Sequence, residues 1–359
     1  MRRGSETGQG TSTTRRHPFT PRSTPPPIGR RRSPPHAARS PRVRSVDRRG
    51  SPSRSLDVVE PGTMRTVPAP QTLRAIAEEA ARTVAPDLLA VFRAPMTIST
   101  KRDAHDVVTL HDRAAEEAIT AVLTAAVPGS VVLGEETGST GSTGSTGTTA
   151  DTDGTGDTGS TDDPVVRWIV DPIDGTANFA RGLAYWCISI AAEVDGEVVA
   201  GVVFDPVADH VFAADDAGAW LDGAPMHSSS GPDDAATVLT SFPVQQDLDL
   251  LGEAAAFDLL RDLTLRYRHH HSLGSGALNL VHVAAGWSDV TMGFATHPWD
   301  VAAGALVLER AGGWFRGFRR GEVVDRAHLA DDYVAAGAGG SHAELVRRVQ
   351  ELSATTAAD

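Results

Sequence analysis

The segment Trp168-Ile169-Val170-Asp171-Pro172-Ile173-Asp174-Gly175-Thr176 constrains this chain more than any other. An apolar run delivers Asp171 to its carboxyl end, and the Pro turn brings Asp174 back beside it. Two carboxylates this close repel, so each is expensive to ionise unless a cation lies between them. Hard oxygen ligands of this type suit Mg²⁺. Gly175 and Thr176 follow with backbone N–H groups at a helix start, a natural place for phosphate. The plain alternative is an ordinary Asp-Pro-x-Asp-Gly turn, since each of these residues favours turns.

Composition divides the chain. Residues 1–63 are rich in Arg, Pro and Ser, and hold fourteen Arg against Glu6, Asp47, Asp57 and Glu60. Their net charge is therefore +10; with the whole chain at −13, residues 64–359 carry −23. A second stretch, 137–163, is almost wholly Thr, Gly, Ser and Asp. Neither stretch can bury enough apolar surface to offset its ordering entropy, so both are expected to be disordered. Together they leave 269 residues, 64–359 without the insert, for one α/β core. Met64 stands where ordered-looking sequence begins, and is a candidate start codon for the protein.

The acidic body argues against a general nucleic-acid binder, which calls for a basic patch, whereas the basic tail is suited to binding polyanions. No apolar run approaches the roughly 18 residues that span a membrane, and no apolar stretch follows the basic N-terminus as a secretory signal requires. Cys187 is the single cysteine, so no intramolecular disulfide forms, which favours a cytoplasmic location.

Periodicity predicts a helix over 72–93, capped by Thr72 and kinked or split at Pro86. A second helix is predicted over 112–126, with Asp112 as cap and Pro128-Gly129 as stop. Short apolar runs follow at 131–133, 165–170, 187–194, 198–204 and 211–214. Asp195-Gly196 between two of them is a hairpin signal. Further helices are expected at 279–285 and 300–311, the latter with Asp300 at its N-cap. Mixed strands and helices imply a layered α/β fold.

Three weaker segments accompany the central string. Gly134-Glu135-Glu136 ends an apolar run, where a solvated Glu pair is the common case. Trp299-Asp300 opens an Ala-rich helix, where Asp300 serves equally as a plain cap. Asp106-Val107-Val108-Thr109-Leu110-His111-Asp112, preceded by Lys101, reads by itself as a loop entering a helix.

Taken together and in this order, the four segments resemble the inositol monophosphatase family, over roughly residues 70–350. That family shows a Lys and an Asp-x-Val-Thr-x-x-Asp segment, then Gly-Glu-Glu, then Asp-Pro-Ile-Asp-Gly-Thr-x-Asn-Phe, then Trp-Asp before an Ala-Gly-rich helix. The resemblance implies a layered αβαβα sandwich and a Mg²⁺-dependent phosphomonoesterase acting through a metal-activated water. It also implies a homodimer with a small phosphate ester as substrate. It casts Glu135, Asp171, Asp174, Asp300 and the Ile173 carbonyl as metal ligands, with Glu136 behind them. Thr176 paired with Asp106 is expected to activate the water, and Lys101 to lie near a third metal. Gly175 and Thr176 are expected to hold phosphate, and Gly274, Ser275 and Gly276 to form the substrate loop.

Animal members place a Glu shortly before Trp-Asp, where it meets inositol hydroxyls. Here Thr291 or Gly293 takes that place, so histidinol phosphate and nucleotide 3′-phosphates rival inositol monophosphate as substrates. A member without catalysis, kept as a binding protein, is the reading from a different class. The run His269-His270-His271 is expected at a surface or strand edge, because consecutive side chains point apart. Cys187 is expected to be a buried small hydrophobe.

Overall fold

The computed structural model describes residues 67–94, 98–100, 107–140 and 166–355. Residues 1–63, Met64, Lys101 and Asp106 lie outside the described residues, as does the insert beyond Thr140.

Helix α1 (Pro70–Val91) turns Leu73, Ala77, Ala80, Ala81, Val84, Ala85 and Leu88 inward. Its cap is Ala69, not Thr72, and Pro70 opens it, because a first-turn residue has no intrahelical use for an N–H. The helix runs on through Pro86, which costs it one internal hydrogen bond but does not end it. Strands β1 (Ile98–Thr100) and β2 (Val107–Thr109) form a small antiparallel pair. Helix α2 (Leu110–Ala126) starts two residues before Asp112, so Asp112 is an inward-facing first-turn residue and not the cap.

The first large sheet begins with β3 (Val131–Gly134), β4 (Gly138–Thr140) and β5 (Arg167–Asp174). β4 belongs to the stretch expected to be disordered; the open edge of β3 orders its first residues by backbone pairing. After the short helix α3 (Thr176–Arg181) come β6 (Cys187–Val194), β7 (Glu197–Asp205), β8 (His210–Asp215), β9 (Gly218–Leu221) and β10 (Ala224–Pro225). The strand order is β10-β9-β8-β7-β6-β5-β3-β4. The β6–β7 hairpin turns at Asp195 (φ 52°) and Gly196 (φ 80°), as the dipeptide predicts.

The second sheet takes β11 (Thr237–Thr240), then, after helices α4 (Gln245–Leu251) and α5 (Glu253–Arg266), β12 (His269–Ser272). Helix α6 (Gly276–Ala284), β13 (Val290–Gly293), helix α7 (Pro298–Arg310), β14 (Trp314–Arg319), β15 (Glu322–Val324), β16 (Asp332–Ala336) and helix α8 (Ala343–Thr355) complete it. Its order is β12-β11-β13-β16-β14-β15.

Three apolar cores hold the layers. One lies between α1, α2 and one face of the first sheet, around Trp168, Ile190 and Val202. The second joins that sheet's other face to α6 and α7 and reaches Tyr333 and Ala335 of β16. The third packs the second sheet against α5 and α8. The fold is therefore the layered αβαβα sandwich. α6 and α7 approach closely because a Cβ on Gly304 would stand 2.8 Å from Leu280.

One irregularity in β5 matters most. Asp171 pairs with Ser189 and Asp174 with Cys187, so three steps along β5 match two along β6. In a regular strand, residues three apart point to opposite faces. The extra residue, beside a Pro with no N–H to give, re-phases the strand and turns both carboxylates to the α6/α7 face. The sequence reading places a turn after Asp171; the structure keeps the strand and bulges it. The Asp171 side chain steadies the bulge by accepting from Ile173 N at 2.9 Å.

Candidate active site

Three carboxylates converge beyond the bulge. Oxygens of Asp171, Asp174 and Asp300 lie within 4.8 Å of one another. Asp171 and Asp174 are buried, and Asp300 is half-buried. Burial foremost, then the charges of Glu135, Asp174 and Asp300, hold the Asp171 carboxyl well above the usual carboxylate range. A hydrogen bond with Glu135 acts in the same direction, which puts Glu135 at the cluster. Burial also pushes Asp174 up to about 6, against the pull of its hydrogen bond from Ser275.

Each member is delivered by a different device. Asp174 faces the start of α6, where Ser275 Oγ donates to it and the amides of Gly276 and Ala277 lie at 3.2 and 2.9 Å. Negative charge is favoured at a helix N-terminus. Ser275 in turn accepts from Leu278 N at 3.3 Å, as the N-cap of α6. Asp300 stands in the first turn of α7, whose cap is His297; its carboxylate accepts from His297 N at 2.7 Å. The expectation of Asp300 as the cap is thus corrected: Pro298 starts the helix two residues earlier. Ser189 Oγ donates to Trp299 O at 3.2 Å and ties α7 to β6 beside Asp171.

Glu135 and Glu136 follow β3. The residue that shapes this turn is Glu116 of α2, fully buried. Its carboxylate accepts from Glu136 N at 2.8 Å, from Thr137 N at 3.0 Å and from Thr137 Oγ1. Gly134 leaves room for it, since a Cβ there would lie 2.3 Å from the Glu116 carboxyl carbon.

Gly175 adopts φ 93°, a left-handed conformation that lets α3 begin directly after Asp174. Thr176 Oγ1 has two acceptors in reach, Asp112 Oδ1 at 3.1 Å and Ile173 O at 3.0 Å. Asp106, the partner expected from the sequence, lies outside the described residues; the described carboxylate beside Thr176 is Asp112. The same holds for Lys101, which the structure does not describe. In the sequence Asp112 reads only as a helix cap and Glu116 carries no role, although their spacing of four puts them on one helix face. The Gly274–Gly276 loop is anchored by Asn178, whose Nδ2 donates to Leu273 O at 2.7 Å and to Tyr185 O at 2.8 Å. Phe179 meets Trp186 edge to face at 4.8 Å and fixes α3 below it.

Thr291 is buried in β13, and the Tyr333 ring covers Gly293, so neither position presents an acid. Cys187 is buried 3.5 Å from Asp174, and burial pushes its thiol up, which agrees with a packing role.

Known proteins resemble this chain in sequence and in fold. A sequence model of the Inositol monophosphatase family matches residues 69–354. Nus factor SuhB of Pasteurella multocida is 31% identical over 254 residues, covering 70% of this chain and 85% of its own. Inositol monophosphatase 3 of Solanum lycopersicum is 33% identical over 242 residues, covering 64% and 84%. Among solved structures, the extragenic suppressor protein suhB of Bartonella henselae superposes with a TM-score of 0.64 at 26% identity, covering 77% of this chain and 97% of its own. The IMPase of Thermotoga maritima gives 0.62 at 26%, covering 79% and 97%. On the matched span and the carboxylate site together, this chain belongs to the inositol monophosphatase family.

Proposed function

We propose that the chain is a Mg²⁺-dependent phosphomonoesterase that hydrolyses inositol monophosphate, or a related small polyol phosphate, to the alcohol and inorganic phosphate. The observation that carries this reading is the convergence of Asp171, Asp174 and Asp300 within 4.8 Å. Buried like charges at this separation call for a cation, and the donors are all hard oxygens. Glu135, Asp171, Asp174, Asp300 and the Ile173 carbonyl would hold it, with Glu136 alongside. When bound, Mg²⁺ neutralises the ester's charge and lowers the pKa of water.

The chain's own groups supply the rest. Thr176 Oγ1 orients the attacking water, and Asp112 takes up its proton through that hydroxyl. The amides of Gly175, the N-cap of α3, and of Thr176, its first residue, bind the phosphate oxygens, as helix starts do. Gly274, Ser275 and Gly276 form the wall of the substrate pocket, and Lys101 is kept as the basic group near a further metal. Glu116 holds the Glu135–Glu136 turn. The reading includes a cytoplasmic homodimer with no membrane contact. Among the described residues no helix is long and apolar enough to cross a membrane.

Thr291 and Gly293 bring no acid to the place where animal members meet inositol, so histidinol phosphate and nucleotide 3′-phosphates stay in the substrate set. Several relatives carry the name Nus factor, which keeps a binding role in view. The full set of carboxylates here favours catalysis. The test is phosphate release from myo-inositol 1-phosphate, histidinol phosphate, 3′-phosphoadenosine 5′-phosphate and fructose 1,6-bisphosphate, with Mg²⁺ and with EDTA. Mg²⁺-dependent release from inositol phosphate is expected. No release from any ester, with folded and metal-loaded protein, would replace the reading by a binding role.

A further inference from the structure

We propose that His269 and His271, on one face of the edge strand β12, form a chelating site for a borderline divalent transition ion such as Zn²⁺, Cu²⁺ or Ni²⁺, separate from the carboxylate centre. β12 is the terminal strand of the second sheet and pairs on one side only, in parallel with β11. Residues two apart on a strand share a face. His269 and His271 are both exposed, and their rings lie nearly parallel, 21° apart in plane and 6.2 Å between centroids. His270, on the opposite face, is half-buried and takes no part.

Adjacent histidines on a strand point apart, but His269 and His271 do not. Rotation about exposed side-chain bonds brings one nitrogen of each ring to the roughly 2.0–2.1 Å that such ions require. Imidazole nitrogens suit Zn²⁺, Cu²⁺ and Ni²⁺, whereas the carboxylate cluster is made of the hard oxygens that suit Mg²⁺. Among the described residues no third carboxylate, thiol or imidazole joins the pair, so water completes the coordination. A backbone-fixed pair also exceeds two independent histidines, because the second bond forms at high effective concentration. A merely solvated edge would lack this coupling.

The test is a Cu²⁺ titration of the full chain in excess Mg²⁺, with electron paramagnetic resonance to count nitrogen ligands. One Cu²⁺ with two imidazole nitrogens is expected. His269→Gln and His271→Gln should each remove that signal and weaken binding about tenfold or more, while His270→Gln keeps it. All three positions are exposed or half-exposed, so these variants fold. The proposal is overturned if the wild-type chain shows no two-nitrogen signal. It is equally overturned if the signal survives in His269→Gln and His271→Gln, or vanishes in His270→Gln.

Discussion

Thr176 Oγ1 and Asp112 Oδ1 stand 3.1 Å apart across 64 residues of sequence. One element is the first turn of α3, the other the first turn of α2, and they meet beside the carboxylate cluster. The hydroxyl proton can go to Asp112 or to the Ile173 carbonyl, but not to both at once. A group placed to exchange one acceptor for another is suited to moving a proton.

Asp112→Asn therefore removes the proton acceptor while keeping shape. We expect kcat to fall by about 10²–10⁴, the usual weight of general acid–base catalysis. Thr176→Ala should cost a similar factor, and the double variant little more than either single one, because the two act as a unit. Phosphate release with a melting curve as fold control decides it. Additive losses would separate the two residues.

The metal-free cluster carries a stability penalty that Mg²⁺ should lift. Asp174 is raised from 3.8 to about 6 by burial, so its stabilising contribution is complete below 3.8 and is lost as pH rises through about 6. Metal-free protein should accordingly melt at a lower temperature at pH 7 than at pH 5. Mg²⁺ at saturating concentration should raise the pH 7 melting temperature, and EDTA should reverse it. Asp171→Asn should abolish the Mg²⁺-dependent shift together with activity; an unchanged shift would remove Asp171 from the ligand set.

Glu116 touches no substrate position, yet it holds the turn that carries Glu135. Glu116→Gln turns an acceptor toward donors as an NH₂ group and weakens the turn. By analogy with groups that orient metal ligands, apparent Mg²⁺ affinity should drop about 10–100-fold. Raising Mg²⁺ should restore most of kcat, which a purely structural lesion would not allow. A Mg²⁺ titration of activity reads both.

His282 gives the fold a separate acid sensitivity. Its ring lies against Trp287, Tyr185 and Phe212, with centroids at 5.0, 5.5 and 6.0 Å. Burial lowers its pKa from 6.5 to about 4, with His210 adding repulsion. The neutral ring's contribution is present above 6.5 and is lost as pH falls through about 4, amounting to at most about 3 kcal/mol. Urea midpoints at pH 7 and pH 4.5 should converge in His282→Leu relative to the wild-type chain. Equal pH slopes in both would assign the acid sensitivity elsewhere.

The chain's own order of residues determined the local pieces. Asp195-Gly196 dictated a hairpin because both residues tolerate positive φ, and the apolar run before Asp171 dictated a buried strand. The central string dictated that two carboxylates would crowd one place. The tertiary structure alone decided which other groups reach that place. Asp112 meets Thr176 over 64 residues, Glu116 meets Glu136 over 20, and Ser275 meets Asp174 over 101. Asp112 and Asp300 each look like a helix cap in sequence, because capping and ligation favour the same short acid. Only the start of α2 at Leu110 and of α7 at Pro298 turned both inward. Periodicity encodes which face of an element is buried; it does not encode what lies across the layer, since that depends on sheets closing over α6 and α7.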